Sequence, residues 1–178
     1  MNIYLTDLQA YNEGFLVGKW ITLPLTPFEL QQAISEILTQ GEVECDSEDH
    51  EEIFITDYES ELLIGEYDSI SRLNELAQTM QNFTDTDYLK LRCLSSEGYN
   101  ERKVIEEGLD KYDVEIYDYR SNSSFTDTFE LLAQDFVNDG LFGEIPTSLE
   151  HYIDYEAIAR DLRFDYTEVE TNVIARVS

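Results

Sequence analysis

Residues 2–38, NIYLTDLQAYNEGFLVGKWITLPLTPFELQQAISEIL, decide the fold of the first part of the chain. Their apolar residues cluster in two short runs, 2–8 and 15–23, which are rich in Ile, Leu, Val and aromatic side chains. Such runs predict β-strands, and Asn12–Glu13–Gly14 between them predicts the turn that joins them. The chain is therefore expected to begin with a pair of strands.

A helix is expected directly after these strands. Thr26 precedes Pro27, and Glu29 follows three residues after Thr26, which is the pattern of a capping box with proline in the first turn. We expect Gly41 to end this helix, a solvated acidic loop to follow over Glu42–Glu52 with His50 in it, and a strand to form over Ile53–Tyr58. The apolar residues that recur at helical spacing are Leu30, Ala33, Ile34, Ile37 and Leu38.

The middle of the chain has a helical pattern. Ile70, Leu73, Leu76, Ala77 and Met80 share one face of a helix that Ser69 is placed to cap. Two more helices are predicted, one starting near Thr84–Asp87 and one over Asn100–Gly108. Short helices need neighbours to bury their apolar faces, so residues 66–111 are expected to form a small helical domain.

The remaining sequence returns to a mixed pattern. Val114 and Ile116 predict a strand after Tyr112, and a helix is predicted over Thr126–Asp139 with Gly140 at its C-terminal end. Its buried side is expected to hold Phe129, Leu132, Ala133, Phe136 and Val137. A short helix over Tyr155–Arg160 and a β-rich tail over Tyr166–Val177 follow. The prediction is an α+β protein of three consecutive domains, 1–65, 66–111 and 112–178.

The net charge of the chain excludes several classes of function. Its 178 residues include 39 Asp and Glu but only 11 Lys and Arg, a formal charge of −28. The excess of acid is spread along the whole sequence, and aromatic residues make up 12%, so a folded surface rather than a disordered tail is expected to carry it. A nucleic-acid binder needs a basic face. We therefore expect neither a nucleic acid nor an anionic membrane as partner, but a positively charged protein.

The sequence also bears on cellular location and redox state. It has no basic, apolar segment typical of an export signal and no run of 18 apolar residues. Cys45 and Cys93 have no CxxC spacing, so they are expected to be reduced thiols in a cytoplasmic protein.

No motif in the sequence indicates catalysis or a cofactor. His50 and His151 lie far apart and lack metal-binding spacing, so no metal site and no cofactor are expected. Asp85 and Asp87 resemble the start of a calcium loop, but Leu89 occupies the next ligand position, and a helix N-terminus is the preferred interpretation. Pairs of carboxylates arise by chance among 39 acids. We expect no enzymatic activity.

The acids of the 126–139 helix suggest a more specific role. Residues four apart on a helix lie about 6 Å from each other, so Asp135 and Asp139 form a row that Asp127 and Glu130 extend. This spacing is of the same order as that of successive phosphates in a nucleic-acid strand. An ordinary exposed face is the local alternative, and the charge of the whole chain favours a phosphate mimic.

Four stretches of the sequence resemble one known family. IYLTDLQAYNEGFLVGKWITLP at the start, IFITDYE at 53–59, EYDSISRLNELAQ at 66–78 and LLAQDFVNDGLFGEIPTSLEHYIDYEAIARDL at 131–162 are similar, in this order, to the ArdA antirestriction proteins. The stretch Arg163–Tyr166 departs from the Gly-containing turn that many members have.

This resemblance implies a fold and a function. The chain would be an elongated, curved, three-part α+β homodimer, carried by a mobile genetic element, that mimics bent B-form DNA. It would occupy the DNA-binding groove of the methyltransferase core of Type I restriction-modification enzymes, which specificity and modification subunits form. Residues 126–148 correspond to the motif region associated with antirestriction activity and dimer contacts.

Two surfaces are predicted on this basis. Leu141, Phe142 and Ile145 would form the dimer interface, with capping of the domain's own core as the alternative. The acids that would imitate phosphates are Glu36, Glu44, Asp46, Asp49, Glu59, Glu61, Glu66, Asp68, Glu106, Glu107, Asp110, Glu115, Asp127, Glu130, Asp135 and Asp139. The competing hypotheses are a generic acidic binding module or chaperone for basic proteins, an enzyme, and a protein adapted to high salt.

Overall fold

A computed structural model of the chain describes residues 1–122 and 126–178. The fold is α+β, as predicted, with helices and two three-stranded antiparallel sheets in these residues. The chain divides into two compact units, Met1–Asn82 and Phe83–Ser178. This division differs from the three expected domains, because the helices of residues 66–111 are shared between the two units. No helix in the described residues is long and apolar enough to cross a membrane.

The first unit is built on a sheet with the strand order β2-β1-β3, both pairs antiparallel. Between the first two strands the chain forms a helical turn, α1, instead of the simple turn that was predicted. The reason is Asp7, whose carboxylate accepts the Ala10 N–H at 2.9 Å and so caps α1. The elements of this unit are β1 (Asn2–Asp7), α1 (Leu8–Asn12), β2 (Gly18–Thr22), α2 (Pro27–Cys45), β3 (Ile53–Glu59) and α3 (Ile70–Met80).

Helix α2 begins as predicted but continues further. The Thr26 hydroxyl accepts the Glu29 N–H at 3.3 Å, and the Glu29 carboxylate accepts the Thr26 N–H at 2.9 Å, which completes the capping box. The prediction that Gly41 ends the helix is wrong. Gly41 is a buried interior residue, and the helix ends at Cys45, where Asp46 adopts a left-handed conformation with φ 49°.

Helix α3 belongs to the first unit. Ser69 caps it, as expected, by accepting the Arg72 N–H. The Asn74 side chain accepts the Leu25 N–H at 2.7 Å and donates to the Leu25 carbonyl at 2.9 Å, which fixes the helix to the segment before α2. The core of this unit includes Ile3, Leu5, Ile37, Leu62 and Leu73, all almost fully buried.

The second unit has a sheet of order β4-β6-β5, again antiparallel. Thr84 and Asp87 form a capping box at the start of α4. This supports the interpretation of Asp85 and Asp87 as acids of a helix N-terminus and not of a calcium loop. Its elements are α4 (Asp85–Ser96), α5 (Glu101–Glu107), a 3₁₀ turn (Leu109–Lys111), β4 (Val114–Asp118), α6 (Thr128–Asn138), a second 3₁₀ turn (Glu150–Tyr152), α7 (Tyr155–Leu162), β5 (Thr167–Glu170) and β6 (Val173–Val177).

The second unit buries the apolar side of α6 against its sheet. Phe129, Leu132 and Phe136 pack with Tyr166 and Ile174 in one cluster. The rings of Phe136 and Tyr166 meet edge to face with their centroids 5.7 Å apart, a favourable aromatic geometry. The predicted burial of Phe129, Leu132, Ala133 and Phe136 is therefore confirmed, whereas Val137 is half-buried. Asp135 and Asp139 are exposed, and Glu130 is half-buried.

Candidate acidic interaction surface

Both units carry a large excess of negative charge. Met1–Asn82 contains 17 acidic and two basic side chains, a formal charge of −15, and Phe83–Ser178 contains 22 and nine, a charge of −13. All 39 acids lie in the described residues, and Asp7 is the one that is buried. The acidity is therefore a property of the folded surface of each unit.

The structure exposes most of the acids that the sequence assigned to this surface. Asp68 and Glu130 are half-buried, and the other fourteen are exposed. Among the sixteen, Glu36 pairs with Lys19 at 2.8 Å, Glu107 with Lys103 at 3.6 Å and Asp127 with Arg163 at 2.7 Å. Hydrogen bonding by Lys19 lowers the pKa of Glu36, and the Tyr112 hydroxyl lowers that of Glu107. The charge of these three carboxylates is therefore partly compensated within the fold.

The predicted row on α6 is only partly a set of free carboxylates. Asp127 caps the helix and binds Arg163, whose guanidinium lies 4.2 Å from the centre of the Phe129 ring. Asp135 accepts the Tyr119 hydroxyl at 2.7 Å. Burial raises the pKa of Tyr119, and the hydrogen bond to the Asp135 carboxylate raises it further. Asp139 caps the C-terminal end of α6, where the last turn holds no basic residue. A carboxylate is unfavourable there because it faces the negative end of the helix dipole.

The highest density of acids is in residues 42–52, which we call the acid-dense segment. It contains no Lys or Arg, and its acids are Glu42, Glu44, Asp46, Glu48, Asp49, Glu51 and Glu52. It includes the end of α2, whose last turn also lacks a basic residue. Asp46 and Asp49 have φ angles of 49° and 70°, a backbone region that residues other than glycine seldom adopt. Repulsion among the carboxylates and the left-handed backbone at Asp46 and Asp49 therefore both destabilise this segment.

A buried hydrogen-bonded chain holds this segment, and the sequence did not predict it. His50, expected to be solvated, is enclosed: its Nδ1 lies 2.5 Å from Asp7 Oδ2, and its Nε2 lies 2.7 Å from Ser47 Oγ. Asp7 and His50 are 43 residues apart in sequence. The position of His50 within a run of acids could have suggested a carboxylate partner for its imidazole. The local sequence pattern could not identify that partner as Asp7. We call Asp7, His50 and Ser47 the buried relay.

A network of ion pairs in the second unit uses several acids for structure. The Arg120 guanidinium contacts Asp118 and Asp85 at 2.6 Å each, and Arg92 contacts Glu170 at 2.5 Å. Hydrogen bonding by Arg120 lowers the pKa of Asp118. These contacts join the start of α4, the end of β4 and strand β5. The contacts of Arg120 with Asp85 and of Arg92 with Glu170 span 35 and 78 residues of sequence, so no local pattern predicts them.

The apolar residues after α6 are on the surface. Leu141 is 60% and Phe142 55% exposed, and Ile145 is half-buried. Leu149 and Tyr152, a few residues further on, are exposed as well. The exposure of Leu141 and Phe142 argues against the alternative that these residues cap the core of their own domain, and Ile145 is only half-buried.

The structure describes the thiols and the side chains that could bind a metal. Cys45 and Cys93 are free, and burial raises the pKa of Cys93 to about 11, which makes it a poor nucleophile near neutral pH. Within residues 1–122 and 126–178, no group of three or more His, Cys, Asp or Glu side chains is placed to hold a metal ion.

An acidic α+β chain with an exposed carboxylate surface is typical of a protein that binds a basic partner. The family model described as antirestriction protein (ArdA) matches residues 3–175, and the chain belongs to this family. The assignment gives the chain an antirestriction function, directed at restriction-modification enzymes. No curated protein matches the sequence.

Proposed function

We propose that this protein inhibits Type I restriction-modification enzymes by imitating the phosphate charge of B-form DNA in their DNA-binding groove. The observation that carries the proposal is the charge of the two units, −15 and −13, borne by carboxylates of which only Asp7 is buried. A groove that binds duplex DNA is lined with Lys and Arg to replace phosphate counterions. The acidic surface offers such a groove an alternative set of anions.

The amount of charge matches that of a DNA segment long enough to fill an extended groove. Duplex DNA carries one charge per ~1.7 Å of its axis. A homodimer would carry twice the charge of −28, which corresponds to roughly 28 base pairs of duplex if all of it were displayed. A curved, elongated dimer, as the family resemblance implies, would spread this charge along the groove of the specificity and modification subunits.

Inhibition of this kind would be independent of the enzyme's target sequence. Phosphate contacts position a protein on DNA but carry no direct sequence information. The carboxylates of the chain imitate phosphates and not base edges, so one inhibitor would act on enzymes with different recognition sequences. Because cleavage and modification use the same groove, both reactions would be blocked, and the inhibitor itself would need no catalytic step.

The exposed apolar residues after α6 are proposed as the dimer contact. Leu141 and Phe142 are exposed and Ile145 is half-buried in the segment between α6 and α7. In a two-fold dimer each subunit contributes the same patch to the contact, so the buried area is twice that of one patch. The dimer would bring two acidic surfaces into one assembly.

Binding to a purified Type I methyltransferase core tests the proposal. We expect a complex of defined stoichiometry, and loss of both cleavage and methylation in proportion to complex formation. A histone-like basic protein and an unrelated DNA-binding domain serve as controls for the generic acidic binding module or chaperone. Equal affinity for these controls would favour that second interpretation and contradict the specific one.

A further inference from the structure

The acid-dense segment needs a structural element that holds it in place. Its seven carboxylates repel one another, and two of them lie in α2 near the negative end of the helix dipole. Asp46 and Asp49 hold left-handed backbone angles. Residues under such strain keep one conformation only when surrounding contacts impose it.

The buried relay supplies those contacts. Asp7 uses both carboxylate oxygens, Oδ1 for the Ala10 N–H at 2.9 Å and Oδ2 for His50 Nδ1 at 2.5 Å. His50 uses both ring nitrogens, the second facing Ser47 Oγ at 2.7 Å. The segment is also fixed at its end, where the Glu52 carbonyl accepts the Leu8 N–H at 2.9 Å. A chain of hydrogen bonds thus runs from β1 through the relay to the turn after α2.

Helix α2 is adapted to leave room for the relay. A Cβ atom at Gly41 would collide with Asp7 Oδ2 and would lie 2.7 Å from His50 Nδ1. Glycine is a poor helix former, and here it occupies an interior position of a 19-residue helix. The absence of a side chain at this position allows the helix and the relay to be in contact.

We propose that His50 is a positioning residue that fixes the acid-dense segment for contact with the restriction enzyme. This inference rests on the proposed function. The imidazole itself touches no partner, since its side chain is fully enclosed. It acts through Ser47 and through the backbone of the segment, which it ties to Asp7 at the C-terminal end of β1. The inhibitory surface would then depend on the buried side chain of His50 as well as on its exposed acids.

A Ser–His–Asp arrangement also occurs in hydrolases, where the serine is a nucleophile. Here the carboxylate caps α1 and the imidazole is enclosed on all sides, as expected for a structural role. A fluorophosphonate probe distinguishes the two roles. We expect no labelling of Ser47, and stoichiometric labelling there that is lost in Ser47→Ala would overturn the positioning role.

Three variants of the full chain test the inference. His50→Ala removes both relay contacts, and Ser47→Ala removes only the outer one, so it remains informative if His50→Ala fails to fold. Asn74→Ala is the matched control, because it removes two hydrogen bonds from the same unit without touching the segment. Hydrogen exchange of residues 46–52 and inhibition of a Type I enzyme are measured for each variant.

We expect amide exchange in residues 46–52 to accelerate at least tenfold in both relay variants, and the inhibitory concentration to rise about fivefold. Asn74→Ala should leave both quantities at the wild-type level even where its melting temperature falls. Unchanged exchange in Ser47→Ala, or relay variants that inhibit as well as the control, would overturn the positioning role alone. A wild-type protein that does not inhibit the enzyme would instead overturn the proposed function, and this inference with it.

Discussion

Nδ1 of His50 lies 2.5 Å from Oδ2 of Asp7, and both side chains are completely shielded from solvent. This contact joins the end of the first strand to the most acidic part of the chain. The acid-dense segment is therefore connected by hydrogen bonds to a buried side chain. Part of the acidic surface depends on a polar interior that the first unit builds around Gly41.

Substitution of Gly41 by alanine tests how tightly α2 packs on the relay. In an unconstrained helix the change from glycine to alanine stabilises by about 0.5–1 kcal/mol. Here the new Cβ would collide with the Asp7 carboxylate, so we expect the free energy of unfolding to fall by about 1–3 kcal/mol, the usual cost of overpacking. Urea denaturation followed by circular dichroism measures this change.

Gly65→Ala is the matched control for this variant. Its new Cβ would meet only the Asp68 carboxylate, at 3.7 Å or more, which is ordinary contact. We expect its stability to stay within about 0.5 kcal/mol of wild type, as for most surface changes. A Gly41→Ala protein as stable as this control would contradict the tight packing.

The local parts of the fold were predictable from sequence because their causes are local. The capping box of Thr26 and Glu29 lies within three residues, and the apolar periodicity of α6 identified its buried face. Gly41 was misassigned because glycine ends helices far more often than it makes room inside them. The enclosure of His50 depends on a residue 43 positions away, which no local pattern contains.

The exposed apolar patch predicts the oligomeric state. Leu141→Glu or Phe142→Glu should give a folded monomer, because each would bury two like charges in a two-fold contact. Analytical ultracentrifugation measures the mass, and circular dichroism checks the fold. Leu16→Glu makes the same change at an 84% exposed position in the first unit and should leave the dimer intact. A dimer that persists in both patch variants would show that the interface lies elsewhere.

Graded neutralisation tests whether inhibition is distributed over many carboxylates. Exposed charge pairs contribute about 0.2–1 kcal/mol each, so Asp135→Asn or Glu44→Gln alone should weaken inhibition by less than about fivefold. Combining these with Asp46→Asn and Asp139→Asn should weaken it by more than about tenfold. Inhibition assays on a purified Type I enzyme measure the series.

The matched comparison for this series is the triple variant of Asp85, Asp118 and Glu170 to the amides. These acids form ion pairs with Arg92 and Arg120. Their neutralisation should therefore lower the melting temperature but change inhibition little. If one single neutralisation abolished binding while the fold survived, a discrete recognition site would replace the distributed surface.

The capping box of α4 predicts a defined dependence of stability on pH. Hydrogen bonds from the Thr84 hydroxyl and N–H lower the pKa of Asp87 below its ordinary value of 3.8. A lowered folded-state pKa adds stability that is fully present above the unfolded value and is lost as pH falls through the folded one. Asp87→Asn should therefore cost about 0.5–1 kcal/mol near pH 7 and progressively less below about pH 4. Equal differences in unfolding free energy at pH 7 and pH 3 would contradict the assignment.

The proposed mechanism requires this protein and DNA to compete for one groove. A mimic and a duplex that claim the same basic residues cannot be bound together, so DNA should raise the apparent inhibition constant in a purely competitive manner. Salt should separate the two ligands. DNA loses affinity with salt because its condensed counterions are released, and carboxylates spaced more widely on a protein condense fewer ions. The complex with this protein should therefore weaken less steeply as ionic strength rises.

The most direct measurement is native mass spectrometry of a Type I methyltransferase core mixed with its specific DNA and this protein. We expect two complexes only, the enzyme with DNA and the enzyme with the inhibitor, whose ratio follows the concentrations of the two ligands. A ternary complex that contains the enzyme, the inhibitor and DNA still seated in the groove would contradict this expectation.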